Sequence, residues 1–273
     1  MPSATPCIAL LTDFGDQDWF VAAMKGEILK RLPQANVIDI SHGLPAHQIE
    51  PASFMVCCVL GAMPEGTVFC CVVDPEVGSR RRSLCGRVGR WFFSGPDNGL
   101  VSSLIDVVGE DFELHEIENP AFRNERISPT FHGRDLFAPA AAALASGRGP
   151  AEAGPAVNEP VRLPPCEPAA TDSGIVARVM LVDRFGNLVT NVWEESYHDR
   201  LLPDRFVIRV GSMRLYNLSE TFSQVREVEA LAYWGSAGTL ELAVNLGSAA
   251  QTTGLGIGDQ VFVDWLDGKL GVP

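Results

Sequence analysis

The sequence predicts an α/β fold: an N-terminal α/β domain with a largely parallel central sheet, then a smaller C-terminal all-β barrel domain. Three observations carry this. Residues 1–155 alternate short apolar runs with helical apolar spacing, the texture of βαβ units. Prolines at 150, 155, 160, 164, 165 and 168 then break the pattern, and residues 156–172 read as an extended linker. Residues 173–273 show only short strands separated by Gly-rich turns, the texture of a small barrel or sandwich. A length of 273 residues suits two unequal domains, because single cores rarely grow past about 250 residues.

The elements follow in order. Ile8 to Thr12 reads as a buried strand, and Trp19 to Leu32 places Val21, Met24, Ile28 and Leu32 on one helical face before Pro33 stops it. Val37 to Ile40 is a second strand. A helix runs from Pro51, a residue suited to a first turn, to about Met63, and Pro64-Glu65-Gly66 turns the chain. Val68 to Val73 and Trp91 to Ser94 are further strands, the latter closed by Gly95-Pro96-Asp97-Asn98-Gly99. Asp135 to Ala145 is a helix stopped by Gly147. In the second domain Val176 to Val182, Phe206 to Val210, Leu240 to Val244 and Gln260 to Trp265 are strands, and Gly254 to Gly258 is a turn.

Composition narrows the function. Hydrophobic residues at 46% support a real core, and the net charge of −13 repels phosphate backbones and anionic membrane surfaces. Nucleic acid and membrane are therefore not expected partners. The longest apolar stretch, Phe54 to Met63, falls short of the roughly 18 residues a membrane span needs. The first residues lack a basic segment ahead of the apolar Cys7 to Leu11 run, so no signal peptide is expected and a cytoplasmic location follows. The seven cysteines, with Cys57-Cys58 and Cys70-Cys71 inside apolar runs, read as reduced core residues.

In open α/β sheets ligands bind beyond the carboxyl ends of strands, so polar loops after strands are the places to search. Thr12 to Asp18 carries Asp13, Asp16 and Asp18. Three readings are open there: a hard metal, a helix cap by Asp16 or Asp18, or a ligand hydroxyl bound by Asp13. Asp74 to Arg82 places an acid within reach of three guanidiniums, or forms a surface turn with solvated arginines. His132, in Thr130 to Asp135, is a catalyst, a cap or a packed side chain. Asp183-Arg184-Phe185-Gly186-Asn187 reads as a hairpin turn or as a carboxylate, aromatic and amide presented to a nucleoside. The chain contains no Walker loop, no G-x-S-x-G and no H-E-x-x-H.

Taken in order, Leu11 to Gly15, Val73-Asp74-Pro75 through Arg82, Pro96 to Leu100, Thr130 to Asp135 and Asp183 to Asn187 form a specific series. The chain resembles the S-adenosylmethionine hydroxide adenosyltransferase family, relatives of the adenosylmethionine-dependent fluorinase and chlorinase, over nearly its whole length. That resemblance implies a homotrimer with active sites between one subunit's N-domain and its neighbour's barrel. It implies hydrolysis of S-adenosylmethionine, as substrate and with no cofactor or metal, to adenosine and methionine.

The resemblance also implies roles. Asp74, Arg81 and His132 match a trio that handles the attacking water. Asp13 falls where the family binds the ribose diol, and Asp18, Asp183 and Ser236 where it holds the methionine part. Phe185, Asn187, Phe222 and Asn245 fall where it surrounds adenine. Glu76 stands where the family usually has glycine, and Arg80 and Arg82 flank Arg81, so a one-residue slip would move the arginine's role. Two other functions stay open: a halogenase, against which the carboxylate of Asp74 argues because it would repel a halide, and a non-catalytic nucleoside-binding protein, against which the intact trio argues.

Overall fold

The computed structural model describes residues 5–266, which divide between Pro165 and Cys166 into two compact units. The first unit holds six strands: β1 (Cys7–Thr12), β2 (Asn36–Ser41), β3 (Val68–Val72), β4 (Ser83–Val88), β5 (Trp91–Pro96) and β6 (Phe112–Glu116). They form one sheet in the order β2-β1-β3-β5-β4-β6. The pairings β1–β2, β1–β3 and β3–β5 are parallel, whereas β4 runs antiparallel to both β5 and β6. The sheet is thus only partly parallel, a correction to the expected largely parallel one. Its cause is the short β4–β5 hairpin, whose two-residue turn reverses the chain where a βαβ unit would need a crossover helix.

Helices cover the sheet. Helix α1 (Phe20–Arg31) buries Met24 and Ile28 with Ile8, Leu10, Val68 and Cys70, and α4 (Ala138–Ala145) packs its nearly all-alanine surface into the same core. Small side chains let that helix approach the strands closely. Helices α2 (Ile49–Val59) and α3 (Ser102–Val108) pack on each other. Helix α1 starts after Trp19 with no side-chain cap, so the expected cap by Asp16 or Asp18 is not formed. The helix expected at Asp135 begins instead as a π-helical turn, Gly133–Phe137, that runs into α4.

The proline-rich segment is extended, as residues before proline must be, but its first part is tied to the first unit. Val157 N–H donates to Leu114 O, Val161 N–H to Asp97 Oδ1 and Leu163 N–H to Ser102 Oγ.

The second unit is one eight-stranded antiparallel sheet: β7 (Ala169–Thr171), β8 (Gly174–Val182), β9 (Leu188–Trp193), β10 (Phe206–Val210), β11 (Met213–Leu215), β12 (Ala230–Trp234), β13 (Thr239–Val244) and β14 (Gln260–Trp265). The order is β11-β10-β14-β8-β9-β13-β12, with β7 on β8. Two short helices, α5 (Glu194–Tyr197) and α6 (Ala249–Thr253), interrupt it. After β11 the chain bridges to β12, where Ser219 N–H donates to Ala232 O, so the sheet curls into a nearly closed barrel. Ile175, Ala177, Phe206, Ile208, Leu240, Leu242, Val261 and Val263 fill its interior.

Burial pushes the Cys70, Cys71 and Cys85 thiols up, the last to about 12. They pack as small apolar groups. Among the described residues no helix is long and apolar enough to cross a membrane.

Candidate active site

Strands β1, β3 and β5 are parallel neighbours, so the residues that follow them emerge at one edge of the sheet. Asp13 follows β1, Asp74 follows β3, and Asp97 and Asn98 follow β5. The reversed strand β4 starts at that same edge, because Ser83 pairs with Pro96. Arg81 therefore arrives beside Asp74. A fully parallel sheet would have carried β4's first residues to the opposite edge.

The geometry there is specific. Arg81 Nε donates to Asp74 Oδ1 at 2.8 Å, and Arg81 Nη2 donates to Asp74 Oδ2, a bidentate pair with both side chains only 4% exposed. The same Nη2 lies 2.7 Å from His132 Nδ1, and Nη1 donates to Ser83 Oγ at 2.8 Å. The guanidinium also lies over the Phe137 ring, at 5.2 Å from its centroid. Buried and bonded on every side, this pair is not the solvated surface turn that the arginine run allowed.

The neighbouring arginines are accounted for differently. Arg82 Nε and Nη2 bind Asp97 Oδ2 at 2.7 and 2.6 Å, and Arg80 and Glu76 are exposed. Among the three guanidiniums Arg81 is thus the one joined to Asp74 and His132.

His132 sits at the start of the π-helical turn, which Asp135 anchors: its buried carboxylate accepts from Arg134, Asn124 Nδ2 and Ser128 N–H. Gly78, at φ +80°, lets the Asp74–Arg82 loop approach the 128–132 loop, where an added Cβ would lie 2.4 Å from Pro129 O. The two loops that carry the trio are therefore in van der Waals contact. Burial, and next the Arg81 charge, hold the His132 imidazole below its ordinary value against opposing pulls from Asp74 and Asp135. Since Arg81 can only donate, neutral His132 accepts at Nδ1 and carries its proton on Nε2.

Asp13 Oδ2 accepts from His47 N–H at 2.8 Å, and His47 adopts φ 68°. Asp18 is exposed in the turn before α1.

In the second unit the β8–β9 hairpin carries Asp183, Phe185 and Asn187. Asp183 Oδ1 accepts from Phe185 N–H and Asn187 N–H, and Asp183 Oδ2 from Asn187 Nδ2, all at 2.8 Å. The hairpin-turn reading is correct, and it leaves Phe185 projecting, 75% exposed. Asn187 is buried, Ser236 is exposed, the Phe222 ring packs tilted at 57° against Tyr233 with centroids 5.1 Å apart, and Asn245 Nδ2 donates to Val225 O at 3.0 Å.

Two residues here escaped the sequence reading. Tyr233 and Glu241 are cross-strand partners on β12 and β13, and the Tyr233 hydroxyl donates to Glu241 Oε2 at 2.5 Å. Burial, and then the nearby charge of Asp183, hold the Glu241 carboxyl above the usual carboxylate range despite that hydrogen bond. Burial and the Glu241 bond raise the Tyr233 hydroxyl as well. The available signal was a lone carboxylate inside the apolar strand TLELAV.

The chain thus joins a partly parallel α/β unit, with a buried Asp–Arg–His constellation at one sheet edge, to an antiparallel barrel-like unit. Residues 8–154 match the SAM hydroxide adenosyltransferase N-terminal domain and residues 177–262 its C-terminal domain, and the chain belongs to this family. It is 39% identical to an (R)-S-adenosyl-L-methionine hydrolase of Thermus thermophilus, over 91% of this chain and 95% of that one. It is 30% identical to a fluorinase of Nocardia brasiliensis, over 94% and 96%. The crystal structure of an uncharacterized conserved protein from Thermotoga maritima superposes with a TM-score of 0.87 at 32% identity, over 94% of this chain and 99% of that one.

Proposed function

We propose that this protein is an S-adenosyl-L-methionine hydrolase that forms adenosine and L-methionine by attack of water at C5′. The observation that carries the reading is the buried Arg81 guanidinium bound at once to Asp74 and His132, in a chain similar to hydrolases along most of its length.

The chemistry fits these groups. A sulfonium leaves as a neutral thioether, so the leaving group needs no acid; the difficulty is the weak nucleophile. Water held behind C5′, in line with sulfur, gains the proximity term, which reaches several kcal/mol. The Arg81 cation favours hydroxide character in that water, His132 Nε2–H orients its oxygen, and Asp74 accepts its proton. Atoms balance: water oxygen bonds C5′, the C5′–S pair leaves on sulfur, and the proton passes to the carboxylate and then to solvent.

Asp13 accepts from the ribose hydroxyls. Asp18, Ser236 and Asp183 hold the methionine part, and Phe185, Asn187, Phe222 and Asn245 enclose adenine. The nucleophile-handling groups belong to the first unit and the adenine and methionine contacts largely to the second. A homotrimer in which a neighbour's second unit completes each site is the arrangement we propose, in the cytoplasm and without cofactor.

The test is incubation with S-adenosylmethionine and chromatography of the products. Because the Thermus relative is named for the R configuration, both sulfonium epimers are assayed. Adenosine and methionine in equal amounts support the reading. A halide-dependent 5′-halo-adenosine, or bound but unchanged substrate, overturns it.

A further inference from the structure

The turn Pro96-Asp97-Asn98-Gly99 has no part in the reaction described, yet it touches both strands that carry the ion pair. Asn98 Nδ2 donates to Val73 O at 2.8 Å, immediately before Asp74. Asp97 grips the other strand twice: its N–H donates to Arg82 O at 3.1 Å, and its carboxylate binds the Arg82 side chain. Arg82 O is in turn an acceptor for Arg81 Nη1 at 3.2 Å. Asp97 and Asn98 are both buried, at 4% and 8% exposure. One dipeptide at the end of β5 therefore fixes the main chain beside Asp74 and the carbonyl that supports the Arg81 guanidinium.

We infer that Asp97 and Asn98 are positioning residues for the Asp74–Arg81–His132 constellation, setting the distance between the β3 and β4 ends so that Arg81 Nη2 meets His132. The inference deepens the proposed hydrolase reading and rests on it for its catalytic consequence. Two features separate this from a mere turn. Asp97 binds the Arg82 guanidinium, so of these two neighbouring arginines Arg81 is the one bonded to Asp74. The clamp also acts on backbone atoms at both ends, so a loosened clamp moves Arg81 relative to His132 by fractions of an ångström, a scale on which positioned chemistry is sensitive.

The experiment combines a His132 imidazole titration by NMR with steady-state turnover of S-adenosylmethionine, in the full chain and in Asp97→Asn, Asn98→Asp and Arg82→Gln. The charged groups facing His132 are Arg81, Asp74 and Asp135. Slackening the Arg81 contact removes a group that lowers the imidazole, so its titration moves up in Asp97→Asn and Asn98→Asp. The expected kinetic effect is a fall in kcat of about tenfold or more with KM within about twofold, since the clamp touches no part of the substrate. Arg82→Gln, whose side chain is 39% exposed, moves both readouts in the same direction by less. Variants that melt earlier but keep the parent's His132 titration and kcat would reduce the turn to a structural brace and overturn the inference. A shifted titration with no hydrolysis in any protein, parent included, would leave the clamp standing and overturn the hydrolase reading instead.

Discussion

Arg81 and His132 share a contact of 2.7 Å between Nη2 and Nδ1, while the same guanidinium is held by both oxygens of Asp74. One cation thus sets the orientation of an imidazole and a carboxylate at once, and each becomes misplaced when the cation is lost. Asp74→Ala, Arg81→Ala and His132→Ala are each expected to lower kcat about 10²-fold or more, measured on S-adenosylmethionine at saturation. Arg81→Lys should not restore activity, because an ammonium lacks the planar fork that reaches both partners. Near-parent rates in all three alanine variants would remove the mechanism.

The His132 imidazole is held below its ordinary value by burial first and Arg81 second, so the neutral form persists below pH 6.5 or so. The pH profile of kcat should therefore keep its plateau through neutrality and fall only on the acid side of that value. The sign for stability is the same: a group with a depressed folded pKa contributes fully above its unfolded pKa, and the contribution is lost as pH falls through the folded one. Denaturant unfolding at a series of pH values should show His132→Gln losing part of the parent's acid sensitivity. A parent acid limb above about 6.5 would contradict the assigned environment.

The Asp13 carboxylate, proposed to accept from the ribose hydroxyls, already accepts from His47 N–H at Oδ2. Asp13→Ala should weaken adenosine binding by about 1.5–3 kcal/mol, the scale of hydrogen bonds to a charged group. Calorimetry with adenosine and its 2′-deoxy analogue separates ribose recognition from loop disorder. The analogue should bind weakly to the parent and lose far less in the variant; equal losses in both proteins would place Asp13 away from the ribose.

What the sequence made legible, and what it did not, follows from the range of each interaction. β1, β3 and β5 were readable because strands buried on both faces are continuous apolar runs. β4, SLCGRV, was not, since Gly86 and Arg87 interrupt its pattern; Gly86 is there because a Cβ would lie 2.0 Å from Glu113 O on β6. Missing β4 meant expecting a largely parallel sheet, and it also hid why Arg81 stands beside Asp74. Asp74, Arg81 and His132 were named together only by the family resemblance, and the structure brings them into contact from two separate loops. Tyr233 with Glu241 is a cross-strand pair and the Asp97–Arg82 clamp lies just past the Ser83–Pro96 pair, and pairing across strands is set by register that a linear reading does not contain.

The trimer proposal has its own test. An inactive His132→Ala chain and an inactive Asp183→Ala chain, co-expressed, should regain part of the parent's turnover if a site spans two copies, because some mixed interfaces pair an intact first unit with an intact second unit. Different affinity tags on the two chains, purified in tandem, verify that mixed trimers form. No rescue in verified mixed trimers, or full activity at a monomer's mass, would mean that each chain builds its own site.

The central claim is that water attacks C5′ and sulfur leaves. Turnover in ¹⁸O-enriched water, with mass spectrometry of both products, tests it most directly. The account predicts one ¹⁸O in adenosine, at the 5′-hydroxyl, and unlabelled methionine. Adenosine without label, or label in the methionine fragment, would contradict it.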